Sequence, residues 1–225
     1  MIKAVLIDVD NTLLDFGKCA RQSMIYGCAA AGLPYSEVVC ETFHRINDDL
    51  WHRLERGEIE KPQIYDTRWN IIFSELGMKY DGREFERIFS GYLSESTEPV
   101  DGAYELLDYL SGKYTVSIAS NAHHIQQFHR LQKAGMMKYL HKLFISDEVG
   151  YTKPSPDFWR ACVRSLSIVT ADEIMMIGDS LTADISGCAE VGIHTCWFNH
   201  DRVPHPPVCA AEYIADSLPE IREIL

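Results

Sequence analysis

Five short apolar runs, each ended by polar or turn-forming residues, limit this chain more than any other feature of its sequence. They are AVLID at 4–8, YTVSIA at 114–119, LFIS at 143–146, IMMIG at 174–178 and HTCWF at 194–198. Runs this short and this continuously apolar suit strands buried on both faces of a parallel sheet, since a sheet with one wet face would alternate. Helical spacing of apolar residues fills the gaps between the later runs, at 102–112, 124–135, 155–167 and 182–191. Strand alternating with helix predicts an α/β fold, a doubly wound and mostly parallel sheet with a Rossmann-like core.

Residues 16–97 break the alternation. Phe43, Ile46, Leu50 and Leu54 form one helical stripe, and Tyr65, Trp69, Phe73 and Leu76 form another. Gly32-Leu33-Pro34, Gly57 and Gly77 punctuate the stretch into about four helices. A helical block directly after the first strand reads as an insertion, because an ordinary crossover needs a single helix. The expected division is an α/β catalytic core of residues 1–15 and 98–225 with an inserted helical cap domain of residues 16–97. The length of 225 residues allows one large domain or two modest ones.

Composition narrows the partners. Lys and Arg total 21 against 33 Asp and Glu, a net charge of −12, which repels phosphate backbones and anionic lipid. A nucleic-acid polymer or a membrane is therefore not the expected partner, and phosphate must be met by a local reversal of sign. The apolar N-terminal run stops at Asp8, too early for a signal peptide. Seven scattered cysteines without a Cys-x-x-Cys pair fit reduced, buried thiols and a cytoplasmic location. His123, His124 and His129 lack cysteine partners and read as surface or packing residues.

Ligands in open α/β sheets bind beyond the carboxyl ends of the strands. Those ends carry Asp8-Val9-Asp10-Asn11-Thr12, Ser120-Asn121, Tyr151-Thr152-Lys153-Pro154, and Asp179-Ser180 with Asp184 five residues on. Four acids converging on one edge are costly unless a cation neutralises them. An all-oxygen donor set selects a hard ion, best Mg²⁺. Asp8 and Asp10 lie on the same side of an extended segment, which lets one carboxylate attack while the other transfers a proton. Singly, each motif has an ordinary structural explanation, as a turn, a helix cap or a solvated lysine.

Taken in order, Asp8-x-Asp10-x-Thr12, Ser120-Asn121, Lys153-Pro154-Ser155-Pro156 and Gly178-Asp179 with Asp184 resemble the haloacid dehalogenase superfamily of phosphotransferases. The insertion is similar to that family's helical cap. The resemblance implies that Asp8 is the nucleophile of an aspartyl-phosphate intermediate and Asp10 the general acid and base. It implies Mg²⁺ held by the Asp8 carboxylate, the Asp10 backbone carbonyl and Asp179, with Asp184 directly or through water, and Ser120 and Lys153 on phosphoryl oxygens. Asn121 would help place the substrate. Ala122 departs from the Gly that many relatives have there.

Asp10 disfavours halide chemistry, since an ester formed through carbon needs no second acid. Gly57-Glu58-Ile59, Lys61, Tyr65-Asp66-Thr67-Arg68-Trp69 and the run from Phe144 to Pro154 resemble bacterial pyrimidine 5′-nucleotidases that clear atypical nucleoside monophosphates. The expected function is thus a Mg²⁺-dependent phosphatase of a small phosphorylated metabolite, a nucleoside 5′-monophosphate. A sugar-phosphate or phosphoglycolate phosphatase and a phosphomutase are the alternatives. Phe16, Trp51, Tyr65 and Trp69 are the aromatics available for a base, and Arg68 for its polar edge, but a stripe such as the one holding Tyr65 and Trp69 is more often core, and none of these is taken as a site residue.

Overall fold

The computed structural model describes residues 1–167, 169–207 and 209–225. It divides into two compact units, residues 1–15 with 97–225 and residues 16–96. In the first unit six parallel strands form one sheet: β1 (Ala4–Ile7), β2 (Thr115–Ser120), β3 (Lys142–Ile145), β4 (Ile174–Gly178), β5 (His194–Phe198) and β6 (Tyr213–Ala215). The order is β3-β2-β1-β4-β5-β6. From β1 the chain winds outward to β3, then returns to place β4 on the other flank of β1. This reversal puts the switch point, where such sheets open a crevice, at the carboxyl end of β1.

The continuous apolar runs follow from burial on both faces. Val5 and Ile7 pack with Val116, Ile118, Met175 and Ile177 on one side of the sheet. Ala4 and Leu6 pack with Ala119, Met176, Phe158 and Trp159 on the other. Side chains alternate along a strand, so each face takes every second residue and both are mainly apolar, with small polar residues such as the buried Ser117 and Thr195 as exceptions. In-register pairing of Ile7 with Ile118 and Ile177 aligns the ends of the three central strands.

The second unit holds four helices, α1 (Phe16–Ala31), α2 (Glu37–Glu55), α3 (Lys61–Glu75) and α4 (Gly82–Glu95). Their shared core is aromatic: the Trp69 ring lies 4.4 Å from Phe85 and 5.2 Å from both Phe43 and Phe89. Helix starts carry their own signals. The Asp81 carboxylate accepts from the Glu84 N–H at 2.8 Å, and Glu60 with Gln63 forms a reciprocal capping box before α3.

The remaining helices of the first unit are α5 (Ala103–Ser111), α6 (His124–Lys133), α7 (Ser146–Val149), α8 (Pro156–Ser165), α9 (Gly187–Ala189) and α10 (Leu218–Ile224). The single helix expected over 182–191 is instead a wide π-type turn at Leu181–Ser186 running into α9. The cause is local. Asp184 bends its carboxylate back onto the Ser180 N–H at 3.0 Å, while the Ser180 hydroxyl accepts from the Ala183 N–H at 3.0 Å. Among the described residues no helix is long and apolar enough to cross a membrane. The seven cysteines are free thiols, all buried except Cys209, which is half-buried.

Candidate active site

The loop after β1 sets the first two acids. Ile7 and Val9 are fully buried in the sheet's core, so the period of two turns Asp8 and Asp10 away from it. The Asp8 N–H still donates to the Ile177 carbonyl at 2.9 Å, tying the residue to β4. Beyond Asp10 the chain reverses through Asn11 at φ 61, a left-handed conformation that Asn tolerates better than most residues. The Leu13 and Leu14 N–H groups both close onto the Val9 carbonyl at 2.8 Å, and both side chains are fully buried. Apolar anchors thus hold a polar loop rigid.

Carboxylate oxygens of Asp8, Asp179 and Asp184 lie within 4.8 Å of one another. Among them sits Lys153, 3% exposed, whose Nζ donates to Asp8 Oδ1 at 2.7 Å, Asp184 Oδ1 at 2.6 Å and the Ala119 carbonyl at 2.8 Å. An ammonium has three N–H donors, and all three are used. Asp179 is placed by the Trp197 indole N–H, which donates to its backbone carbonyl at 2.8 Å. Thr12 Oγ1 stands 3.5 Å from Asp179 Oδ1.

Burial is the largest influence on the Asp8 carboxyl, and with Asp184 and Asp10 it outweighs Lys153 and raises the group from 3.8 to about 7. Burial, reinforced by Asp8 and Asp184, pushes Asp179 well above the usual carboxylate range. Burial works against the charge of Lys153, but Asp184 and Asp8 prevail and hold it protonated above its ordinary range. One lysine therefore leaves the three acids short of positive charge. A hard cation fits this all-oxygen set by charge and by donor chemistry.

Close approach of backbone explains two glycines. A Cβ on Gly178 would lie 2.3 Å from Asp184 Oδ2, and one on Gly187 would lie 2.0 Å from the Pro154 carbonyl. The first glycine lets the acidic cluster close; the second seats the Lys153 loop against α9. Gly178→Ala should displace Asp184 and destabilise the chain by about 1–3 kcal/mol, the cost of overpacking a tight site. Urea unfolding checks this, and an unchanged midpoint would show that Asp184 has room to move.

Ser120 and Asn121 leave β2 as expected but face different partners. The Ser120 Oγ accepts from the Gln127 Nε2 at 3.2 Å and from the Ala122 N–H at 3.3 Å. Asn121, expected to help place the substrate, uses its amide on the Lys153 backbone. Its Nδ2 donates to the Lys153 carbonyl at 2.9 Å, and its Oδ1 accepts from the Lys153 N–H at 2.8 Å. That reciprocal pair mimics a strand contact and fixes the lysine's backbone.

The Asp10 carboxylate is turned to α6 instead of joining the acidic cluster. Arg130 Nη1 donates to its Oδ1 at 2.6 Å and Gln127 Nε2 to its Oδ2 at 2.8 Å. The sequence reading missed both partners. A signal existed: Gln127 and Arg130 stand one helical turn apart on the buried face that also carries Leu131. Polar residues on the apolar side of an amphipathic helix point to a fixed partner.

Arg68, available by sequence for a substrate's polar edge, is turned inward instead. It is 3% exposed and buried inside the helical unit, where its guanidinium donates to both carboxylate oxygens of Glu86 at 2.6 and 2.9 Å and to Asn47 Oδ1 at 2.8 Å. Trp69 is fully buried in the aromatic core and offers no open wall. Tyr65 and Trp51 pack edge to face with ring centres 6.4 Å apart.

This fold, with acids and a lysine collected at the switch point, defines a hydrolase of the haloacid dehalogenase-like family. The family's model matches residues 2–192, and the chain belongs to it. Its sequence is 29% identical to the HAD-hydrolase YfnB of Bacillus subtilis strain 168 over 223 residues, covering 99% of this chain and 95% of the relative. The magnesium-bound crystal structure of YfnB superposes with a TM-score of 0.95 at 28% identity, covering 100% of this chain and 98% of that one. Pyrimidine 5′-nucleotidase PynA of Streptococcus pneumoniae is 31% identical over 198 residues, 88% of this chain and 84% of the relative. A glyceraldehyde 3-phosphate phosphatase of Pyrococcus abyssi is 27% identical over 212 residues, 90% of this chain and 83% of the relative.

Proposed function

We propose that the chain is a Mg²⁺-dependent phosphomonoester hydrolase that works through an aspartyl-phosphate on Asp8, with nucleoside 5′-monophosphates of the pyrimidine type as its substrates. The observation that carries this reading is the Asp8 carboxylate, held 2.7 Å from Lys153 beside two further acids, with a second carboxyl two residues on. A carboxylate at the switch point with cationic surroundings is placed to attack phosphorus. Likeness to PynA supports the nucleotide class. Likeness to the glyceraldehyde 3-phosphate phosphatase supports a second reading, a sugar-phosphate substrate with the same chemistry.

Asp8, Asp179 and Asp184, with the Asp10 backbone carbonyl, would hold Mg²⁺. When bound, the ion would offset the charge on the nucleophile and the phosphoryl oxygens. Asp8 forms its bond to phosphorus as the bond to the leaving oxygen breaks, and Asp10 gives that oxygen a proton. Water then attacks the aspartyl-phosphate while Asp10 takes a proton back, releasing phosphate and restoring Asp8. Lys153 follows the charge as it moves from the Asp8 oxygen to the phosphoryl group. Two acceptor contacts leave the Ser120 hydroxyl proton to donate to a phosphoryl oxygen.

The test is phosphate release with Mg²⁺ from a panel of nucleoside monophosphates, sugar phosphates and phosphoglycolate. Highest kcat/KM on UMP, dUMP or TMP is the expected result. Best turnover of a sugar phosphate would keep the mechanism and replace the substrate class. A bisphosphate requirement with an isomerised product would mark a phosphomutase.

Metal and proton compete for Asp8, which gives a pH prediction. The folded carboxyl stands at about 7 against 3.8 ordinarily, so between those values the folded chain holds a proton that the unfolded chain has released. Stability of the metal-free chain should therefore fall as pH rises from 4 to 7, with the raised Asp179 acting in the same direction. Added Mg²⁺ should raise Tm more at pH 8 than at pH 5. Equal gains at both values in thermal melts would remove Asp8 from the ligand set.

A further inference from the structure

We propose that Arg130 and Gln127 are positioning residues that set the Asp10 carboxyl for proton transfer to the leaving group; the inference rests on the phosphatase reading above. Arg130 is 1% exposed and Gln127 fully buried, yet both aim their polar ends at a carboxylate whose side chain is 28% exposed. Burying a guanidinium is expensive, and a carboxylate in contact with water needs no such partner for its own stability. The two donors meet different oxygens, Oδ1 at 2.6 Å and Oδ2 at 2.8 Å, which fixes both the position and the plane of the carboxyl.

Further contacts lock the donors themselves. Arg130 Nη1 also donates to Gln127 Oε1 at 3.0 Å, which orients the amide, and Gln127 Nε2 reaches Ser120 Oγ at 3.2 Å. One turn of α6 therefore joins Asp10 on the β1 loop to Ser120 at the end of β2. Each carboxylate oxygen can serve two partners, so one contact apiece with the helix leaves capacity for proton exchange with the substrate. In the first step the Asp8 oxygen bonds to phosphorus and the phosphorus–oxygen bond to the leaving group breaks. The leaving oxygen keeps that electron pair and takes the Asp10 proton. The charge this leaves on Asp10 falls on the oxygens that Arg130 and Gln127 already hold. A small misplacement of a proton donor is costly in rate, which is what such a clamp prevents.

Leaving-group dependence separates this role from a merely structural one. An alkoxide must be protonated as it departs, whereas p-nitrophenolate leaves as a stable anion. The experiment compares kcat/KM on an alkyl monoester, UMP or glycerol phosphate, with kcat/KM on p-nitrophenyl phosphate, for wild type, Arg130→Met, Gln127→Met and Asp10→Asn. Arg130→Met is expected to lose about 100-fold on the alkyl ester, the lower end of general-acid contributions, and Gln127→Met about 10-fold, a part of such a contribution. Both should lose at least several times less on the aryl ester, in the pattern of Asp10→Asn. Equal losses on the two esters would overturn the inference while leaving the phosphatase reading intact. Should Arg130→Met fail to fold by circular dichroism, Gln127→Met and Arg130→Lys decide by the same ratio. A folded wild type inert on every monoester would overturn the phosphatase reading, and this inference with it.

Discussion

Asp8→Asn should give a folded chain whose phosphate release is slower by on the order of 10⁴–10⁶-fold, the scale of losing a covalent nucleophile. The amide keeps the shape of the carboxyl and removes the atom that would bond to phosphorus. Folding should survive, and the reason lies in the electrostatics of the site. Burial raises the Asp8 carboxyl to about 7, so its negative charge is unfavourable there when no metal is bound. Removing that charge leaves Lys153 paired with Asp184 at 2.6 Å and still accepted by the Ala119 carbonyl at 2.8 Å. The metal-free variant should therefore melt no lower than wild type, and Mg²⁺ should raise its Tm less. Phosphate release measured beside thermal melts checks both halves. Retained turnover would dismiss Asp8 as the nucleophile.

Lys153→Met should be the most damaging of these changes to stability, and it should lower activity as well. Methionine fills a similar volume, but it strips the donor from Asp8 Oδ1, Asp184 Oδ1 and the Ala119 carbonyl at once. Breaking a buried ion pair by removing one partner costs about 3–5 kcal/mol, because the surviving charge remains buried. Here two carboxylates survive, and without the lysine the Asp8 carboxyl should rise further. Activity should fall on the order of 10²–10³-fold, the usual loss for one preorganised donor at a site of developing charge. Mg²⁺ should rescue stability more in this variant than in wild type, since it would then be the sole cation against three acids. Urea titrations with and without Mg²⁺ read the rescue directly. A variant as stable as wild type without metal would mean that Asp8 and Asp184 take protons at little cost.

The sheet was largely legible because its signal is local. Strands β4 and β5 begin and end where the apolar runs do, and β1, β2 and β3 differ by a residue at their ends. Burial on both faces keeps charged and large polar residues out of the middle of a run and admits only small ones such as Ser117 and Thr195, so the boundary shows as a change of chemistry. The edge strand β6 gave no such signal. It has three residues, Tyr213 is exposed, and it pairs only with β5. Helix α10 was also missed, although Ser217, Pro219 and the buried Leu218 and Ile221 carry a short amphipathic start.

Asp8, Asp179, Asp184 and Lys153 were legible as a set, without the Asp10 carboxylate, because parallel strands deliver their carboxyl ends to one edge, whatever the order of the strands. What each side chain touches was decided elsewhere. Asp10 meets Arg130 across 120 positions and Gln127 across 117, and Asn121 meets the Lys153 backbone across 32. No periodicity encodes such separations. They arise only when β1, β2 and the helix between β2 and β3 pack at the switch point. Arg68 makes the same point from the helical unit, since the sequence leaves it available for a substrate's polar edge until Glu86 is found 2.6 Å away. The sequence alone determined which chemical groups reach the end of the sheet, because strand burial and chain direction are local properties. Only the tertiary structure decided which groups hold one another there, because hydrogen bonds and ion pairs depend on distances that packing alone sets.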